Sequence, residues 1–164
     1  MWKNLAMGLT VCGLLAGTGT ALAQPAYGSY IGVGLGVGVS DGSVLDGNSR
    51  TAAGLIALRY KFLEVPISLR TQVLIGDSTA VVPTISYDLP LNFNTDFYLG
   101  VGASIANNIT PVGNKNSFVL QPGIDYTIPN SNLVLFGNAI FAFDAYRNAN
   151  TTATSLQTGI GFRF

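Results

Sequence analysis

Seven ionisable side chains raise the first chemical question about this sequence: Arg59, Lys61, Arg70, Asp88, Asp96, Asp125 and Arg163. Each lies in a segment where polar and apolar residues alternate, and each falls on the polar parity. A two-residue period places such residues on one face of a β-strand. Four cations and three carboxylates gathered on one side serve either of two purposes. They form a ring that selects small ions, or they pair and hold a structure together as a salt-bridge plug. Isolated charges away from water would cost several kcal/mol, so pairing is the expectation.

Catalysis is poorly supplied. The chain contains no histidine, the usual base near neutral pH, and no Ser–carboxylate–Lys set stands out. A metal centre lacks its common nitrogen and sulfur ligands, and Asp41 and Asp46 sit in a Gly-rich loop as turn formers. The glycines at 32, 34, 36 and 38 suggest a nucleotide loop. A third glycine would be needed at 37 or 41, where Val37 and Asp41 stand, so no G-x-G-x-x-G exists. No catalytic, cofactor-binding or metal residue is assigned, no cofactor is expected, and the chain reads as a non-enzyme. The N-x-T triplets at Asn108 and Asn150 matter only in a cell that glycosylates them.

The segments that position these charges are all strand-like. At the C-terminal end, Leu156, Thr158, Ile160, Phe162 and Phe164 alternate with Ser155, Gln157, Gly159, Gly161 and Arg163. The same period runs through about 29–39, 51–63, 67–76, 79–89, 96–106, 117–128 and 133–144. In each, one parity is apolar and the other carries the glycines, hydroxyls and charges. The segment 133–144 is ambiguous; Leu133, Leu135, Phe141 and Phe143 are placed on one face and Phe136, Asn138, Ile140 and Asp144 on the other. Pro83 and Pro122 remove ladder donors and should mark bulges or local defects. Eight strands of about ten residues match the length of a transmembrane β-strand.

Composition bounds the rest. Of 164 residues only 10% are charged, against about 25% in ordinary soluble domains. Lys3, an apolar run to Leu22 and Ala21-Leu22-Ala23 read as a cleaved signal peptide over 1–23. A retained transmembrane helix is the alternative. Cys12 invites a lipoprotein reading, but Val11 is a poor residue to precede it. The barrel domain is then 24–164, with seven basic against eight acidic residues and no reason to expect a nucleic-acid partner. Beyond the leader no apolar run reaches the 18 or so residues of a spanning helix.

These patterns predict an all-β fold: a closed, antiparallel, up-and-down transmembrane β-barrel of eight strands. Turns after the second, fourth and sixth strands are short. Loops after the first (40–50), fifth (107–116) and seventh (145–152) are longer, and the connection after the third, at Asp77-Ser78, is short, an exception; the alternation places both termini on the periplasmic side. The apolar-parity aromatics Tyr60, Phe62, Tyr87, Phe97 and Tyr126, with Phe162 and Phe164, fall at that end as an interfacial girdle, and Phe118, Phe141 and Phe143 fall at the other. The glycine parities of 29–39 and 153–164 should meet at the closing seam and leave room for Phe136 or Arg70.

The alternation through 29–164 and the terminal Ile160-x-Phe162-x-Phe164 resemble the small eight-stranded outer-membrane β-barrels, the group of the OmpA barrel, OmpX and the opacity-type porins. The resemblance implies the outer membrane as location, with outer-membrane lipids and lipopolysaccharide as surroundings. It also implies that Ile160, Phe162 and Phe164 act as the signal read by the outer-membrane assembly machinery. Barrel enzymes of that membrane resemble one another in using a histidine, absent here. OmpA-like proteins often carry a peptidoglycan-binding domain after the barrel, and the sequence ending on strand eight argues against a wall anchor. The leading expectation is a non-enzymatic barrel with a structural, surface-interaction or narrow-pore role. The alternatives are an adhesin or receptor acting through loops 40–50, 107–116 and 145–152, and a soluble lipocalin-like carrier. Oligomeric state is not legible.

Overall fold

A computed structural model describes residues 28–39, 51–147 and 150–164. The proposed leader and its cleavage site lie outside these residues, as does the loop 40–50. The described chain forms eight strands: β1 (Tyr30–Gly38), β2 (Ala52–Lys61), β3 (Ile67–Ile75), β4 (Thr79–Asn92), β5 (Thr95–Ala106), β6 (Ser117–Thr127), β7 (Leu133–Phe143) and β8 (Ala153–Arg163). Each pairs antiparallel with the next, and β1 pairs with β8, closing the barrel.

Closure fixes the interior. From Gly38 the register runs through Ser155, Ile140, Gln121, Gly100, Ser86 and Ser68 to Lys61, and the β1–β2 register carries on to Gly28. One circuit thus returns to β1 about ten residues away; such a stagger tilts the strands by about 40° and leaves a lumen just wide enough for side chains. The alternating burial of every strand follows from the pleat. Outward stand Ile31, Val33, Leu35, Ile56, Leu58, Leu69, Ile85, Leu99, Val101, Leu135 and Ile160, all exposed. Among the described residues no charged side chain occupies an outward strand position. That polarity is the inverse of what a soluble ligand carrier requires, and it matches a lipid-facing wall.

Two expectations need correction, while the local defects expected at Pro83 and Pro122 are present without a bulge. Pro83 and Pro122 do not shift the register. Cα pairing lapses beside Pro83 on the β5 side and beside Pro122 on the β7 side, then resumes unchanged. The missing N–H is absorbed locally because each proline still pairs normally with its other neighbour. The register shift lies instead between Pro90 and Asn92, where β4 continues past the expected turn to Asn92. Asp144 does not point inward: β7 ends at Phe143, and Asp144 takes a positive φ of 52° and is exposed. Its carboxylate accepts from Lys115 Nζ at 2.6 Å.

Candidate functional site

The lumen at the barrel end where β1 begins and β8 finishes is ionic. Arg59 and Arg70 are cross-strand partners on β2 and β3, and Asp96 and Asp125 are partners on β5 and β6. Like charges directly opposite destabilise a sheet, so neither pair stands alone; each faces the other across the lumen. Arg59 reaches three carboxylates, Asp88 at 2.7 Å, Asp125 at 2.9 Å and Asp96 at 3.1 Å. Arg70 meets Asp125 at 2.8 Å and Asp88 at 3.3 Å, and Lys61 meets Asp96 at 3.0 Å. Three cations and three carboxylates thus form one balanced network. Arg163 stands at the rim, its guanidinium 3.4 Å from the Ser131 carbonyl.

Further polar groups that the alternation placed inward, but did not mark as partners, complete this layer. Ser68 donates to Asp88 and accepts from Arg59, while Ser86 donates to Asp88 at 3.0 Å and accepts from Arg70 at 2.8 Å. Tyr30 donates to Asp125 at 3.0 Å. The Arg70 guanidinium lies 3.3 Å over the Tyr98 ring, a cation–π contact strengthened by removal from water. Tyr30 stacks on Phe136 at 5.6 Å. Phe136 fills the seam, where Gly32 pairs with Gly161 and Gly34 with Gly159. A Cβ on Gly159 would stand 2.5 Å from the Phe136 ring, and one on Gly32 2.8 Å from it.

Above the ions lies a band of neutral polar groups. Thr84 donates to Gln121 at 2.7 Å, Gln121 to Asn138 at 3.2 Å, and Gln157 to Ser155 at 2.6 Å. Higher still the interior turns apolar, with Leu74, Val82, Val119, Ile140, Ala142 and Ala153 fully buried.

The connection 107–116, expected as an external loop, crosses this upper mouth. Pro111 reaches the end of β1 on the opposite wall, packing against Gly38. Val112 is buried in the apolar cluster. Thr110 and Gly113 exchange backbone hydrogen bonds of 3.1 and 3.0 Å, and Gly113 supplies the φ of 104° that the tight return requires. Asn114 N–H donates to Ala145 O at 2.9 Å, tying the loop to the β7–β8 connection. The stretch 107–116 has no period, so the alternation that revealed the strands carries no sign of this plug.

The outward aromatics Tyr60, Phe62, Tyr87, Phe97, Tyr126, Phe162 and Phe164 are exposed at the barrel end where β1 begins and β8 finishes. Tyr60 and Phe62 meet edge-on at 5.4 Å, and Phe118 and Phe143 stack at 6.0 Å near the other end. Ile160 and Phe162 face outward on β8, paired with β1 and β7.

No protein-family model and no curated protein sequence matches the chain. Among solved structures, a de novo designed transmembrane β-barrel is similar at a TM-score of 0.56 and 12% identity, over 86% of this chain and 98% of that one. Ail, the attachment invasion locus protein of Yersinia pestis, is similar at 0.55 and 16% identity, over 83% and 97%. Neisserial surface protein A is similar at 0.56 and 14% identity, over 84% and 97%. With a closed antiparallel barrel of eight strands, an apolar outer wall and a filled lumen, this chain has the fold of the small eight-stranded transmembrane β-barrels.

Proposed function

We propose that this chain is a sealed, non-enzymatic β-barrel of the outer membrane, with both termini in the periplasm and a structural or surface role. The observation that carries the reading is the inside-out polarity of a closed barrel whose lumen is filled at both levels. An apolar wall with aromatic ends suits outer-membrane lipids and lipopolysaccharide. Ile160, Phe162 and Phe164 are the segment offered to the assembly machinery. The ionic layer and the apolar layer under the 107–116 plug close the lumen in series, which favours plug over pore.

Ail, named for attachment and invasion, has also been crystallised with the heparin analogue sucrose octasulfate. An adhesin reading of this chain draws on loops 40–50, 107–116 and 145–152. The buried tip of 107–116 is spent on closing the barrel, so less of that loop is left for a partner. Two measurements test the proposal. The mature chain should need detergent or lipid to remain folded and monodisperse, and in planar bilayers it should show no resolvable current. Monomeric solubility in plain buffer would refute the membrane assignment. A steady single-channel conductance in the unmodified protein would refute the seal and restore the narrow pore.

A further inference from the structure

The neutral band between the ionic and the apolar layers is level around the barrel. The stagger, about ten residues shared among eight strand-to-strand steps, shifts the height by little more than one residue per step. With that shift applied, Gln72 on β3, Thr84 on β4, Gln121 on β6, Asn138 on β7 and Gln157 on β8 stand at one height. That height is midway between the aromatics Tyr60 and Phe97 at one end and Phe118 and Phe143 at the other. All five belt residues are buried. β1 and β5 contribute only glycine at this level, Gly34, Gly100 and Gly102, and a Cβ on Gly100 would meet its nearest neighbour, Gln121, only at 3.4 Å.

Four buried atoms of this belt and its floor have no hydrogen-bond partner among the described residues: Gln72 Oε1, Gln157 Oε1, Asn138 Nδ2 and the Tyr98 hydroxyl. The belt's own bonding strands them. Donation runs one way, from Thr84 to Gln121 to Asn138, and ends on Asn138 Nδ2, a donor. Gln157 gives its Nε2 to Ser155 and is left with an acceptor. Asn138 and Gln157 are cross-strand partners, and the Tyr98 hydroxyl enters the space before Gly123 beside the Asn138 side chain. Gln72 faces them across the lumen, β3 and β7 lying four strands apart in the ring of eight. Buried polar atoms left unmet are costly, and these four present two acceptors, one donor and one hydroxyl that does either. A cation would meet the Asn138 amide hydrogens, an anion would meet the two amide oxygens, and the belt holds no counter-charge for either. Water is neutral, donates and accepts, and typically makes about three such bonds when buried. We infer that the middle of the lumen is a hydration site, in which ordered water bridges Asn138, Gln157 and Tyr98 on one side and Gln72 on the other. The barrel is then wet at its centre and closed above and below.

The test compares the refolded mature barrel with Tyr98→Phe, which removes the hydroxyl and keeps the ring under the Arg70 guanidinium. Crystals grown from detergent or a lipid mesophase should show water within hydrogen-bonding distance of at least two of the four atoms. The variant should lose the water that the hydroxyl held. In reversible urea unfolding its unfolding constant should rise at least about fivefold, the loss of one good hydrogen bond. Amides turned to pair directly, with no density between them, would overturn the hydration site. Contacts of about 2.4 Å from the amide oxygens to the bound density would mark a cation and overturn it as well. A variant as stable as the wild type, or more so, would show that the hydroxyl is stranded and dry, and the inference fails.

Discussion

The two halves of the lumen are filled by opposite means. Where β1 begins and β8 finishes, the interior is held by charges: two arginines on β2 and β3 face carboxylates on β4, β5 and β6, with serines and Tyr30 adding hydrogen bonds. Near the loops it is held by close contact among Leu74, Val82, Val119, Ile140 and the inserted Val112. The halves therefore fail differently, one by stranding a charge and the other by opening a void. They also specify different things. A one-residue register slip would carry the ionic set to the lipid face, where each Arg or Lys costs about 2–4 kcal/mol at the midplane. The same slip in the apolar half exchanges one set of apolar residues for another. The ionic half thus fixes register, and the apolar half supplies packing.

The largest effect should come from breaking the ionic half at a carboxylate that both arginines share. Asp125→Ala removes the partner of Arg59, Arg70 and Tyr30 at once. Stranding buried charge in this way is expected to destabilise by about 3–5 kcal/mol, read from reversible urea unfolding in micelles or lipid vesicles. The counterpart in the apolar half is Leu74→Ala. Leu74 is fully buried, and the void should cost about 2–5 kcal/mol. If Leu74→Ala proves clearly more damaging than Asp125→Ala, the ionic layer is not the more fragile half and the contrast fails.

The same contrast explains what the sequence made legible. In the ionic half, inside and outside differ strongly, so parity alone put Arg59, Arg70, Asp88, Asp96 and Asp125 on one side, and the balanced network follows from closure. Tyr30, Ser68, Ser86 and Tyr98 shared that parity, but nothing in their spacing said that they would bond the ions. In the apolar half both faces are apolar, which is why β7, with Ile140 and Ala142 inside and Phe141 and Phe143 outside, read ambiguously, and its end was carried one residue too far, to Asp144. The plug was invisible for a further reason. Its burial of Val112 depends on contacts with β1 and the β7–β8 connection, distant in sequence and without a repeating pattern.

Between the halves lies the seam, where glycine thins the wall for Phe136. Gly159→Ala places a methyl against the Phe136 ring and the β1 backbone. Overpacking of that kind is expected to destabilise by about 1–3 kcal/mol. Pairing it with Phe136→Leu should recover part of the loss; a double variant no better than additive would show that the β1 backbone, not Phe136, sets the limit.

The smallest effect should come from the ion pair outside the lumen. Lys115 and Asp144 approach to 2.6 Å, closer than any pair that Arg59 makes, yet their side chains are 40% and 54% exposed against 3% or less for Arg59, Asp88 and Asp125. If separation governed stability, Lys115→Ala would rank beside Asp125→Ala. If removal from water governs it, the exposed pair is screened and its partner is rehydrated once freed, so the loss should stay within about 0–1 kcal/mol and shrink further in high salt. Unfolding of Lys115→Ala and Asp125→Ala at low and high ionic strength separates the two. A loss for Lys115→Ala that approached the Asp125→Ala value would mean that the loop end owes its order to this surface pair rather than to the plug packed beneath it.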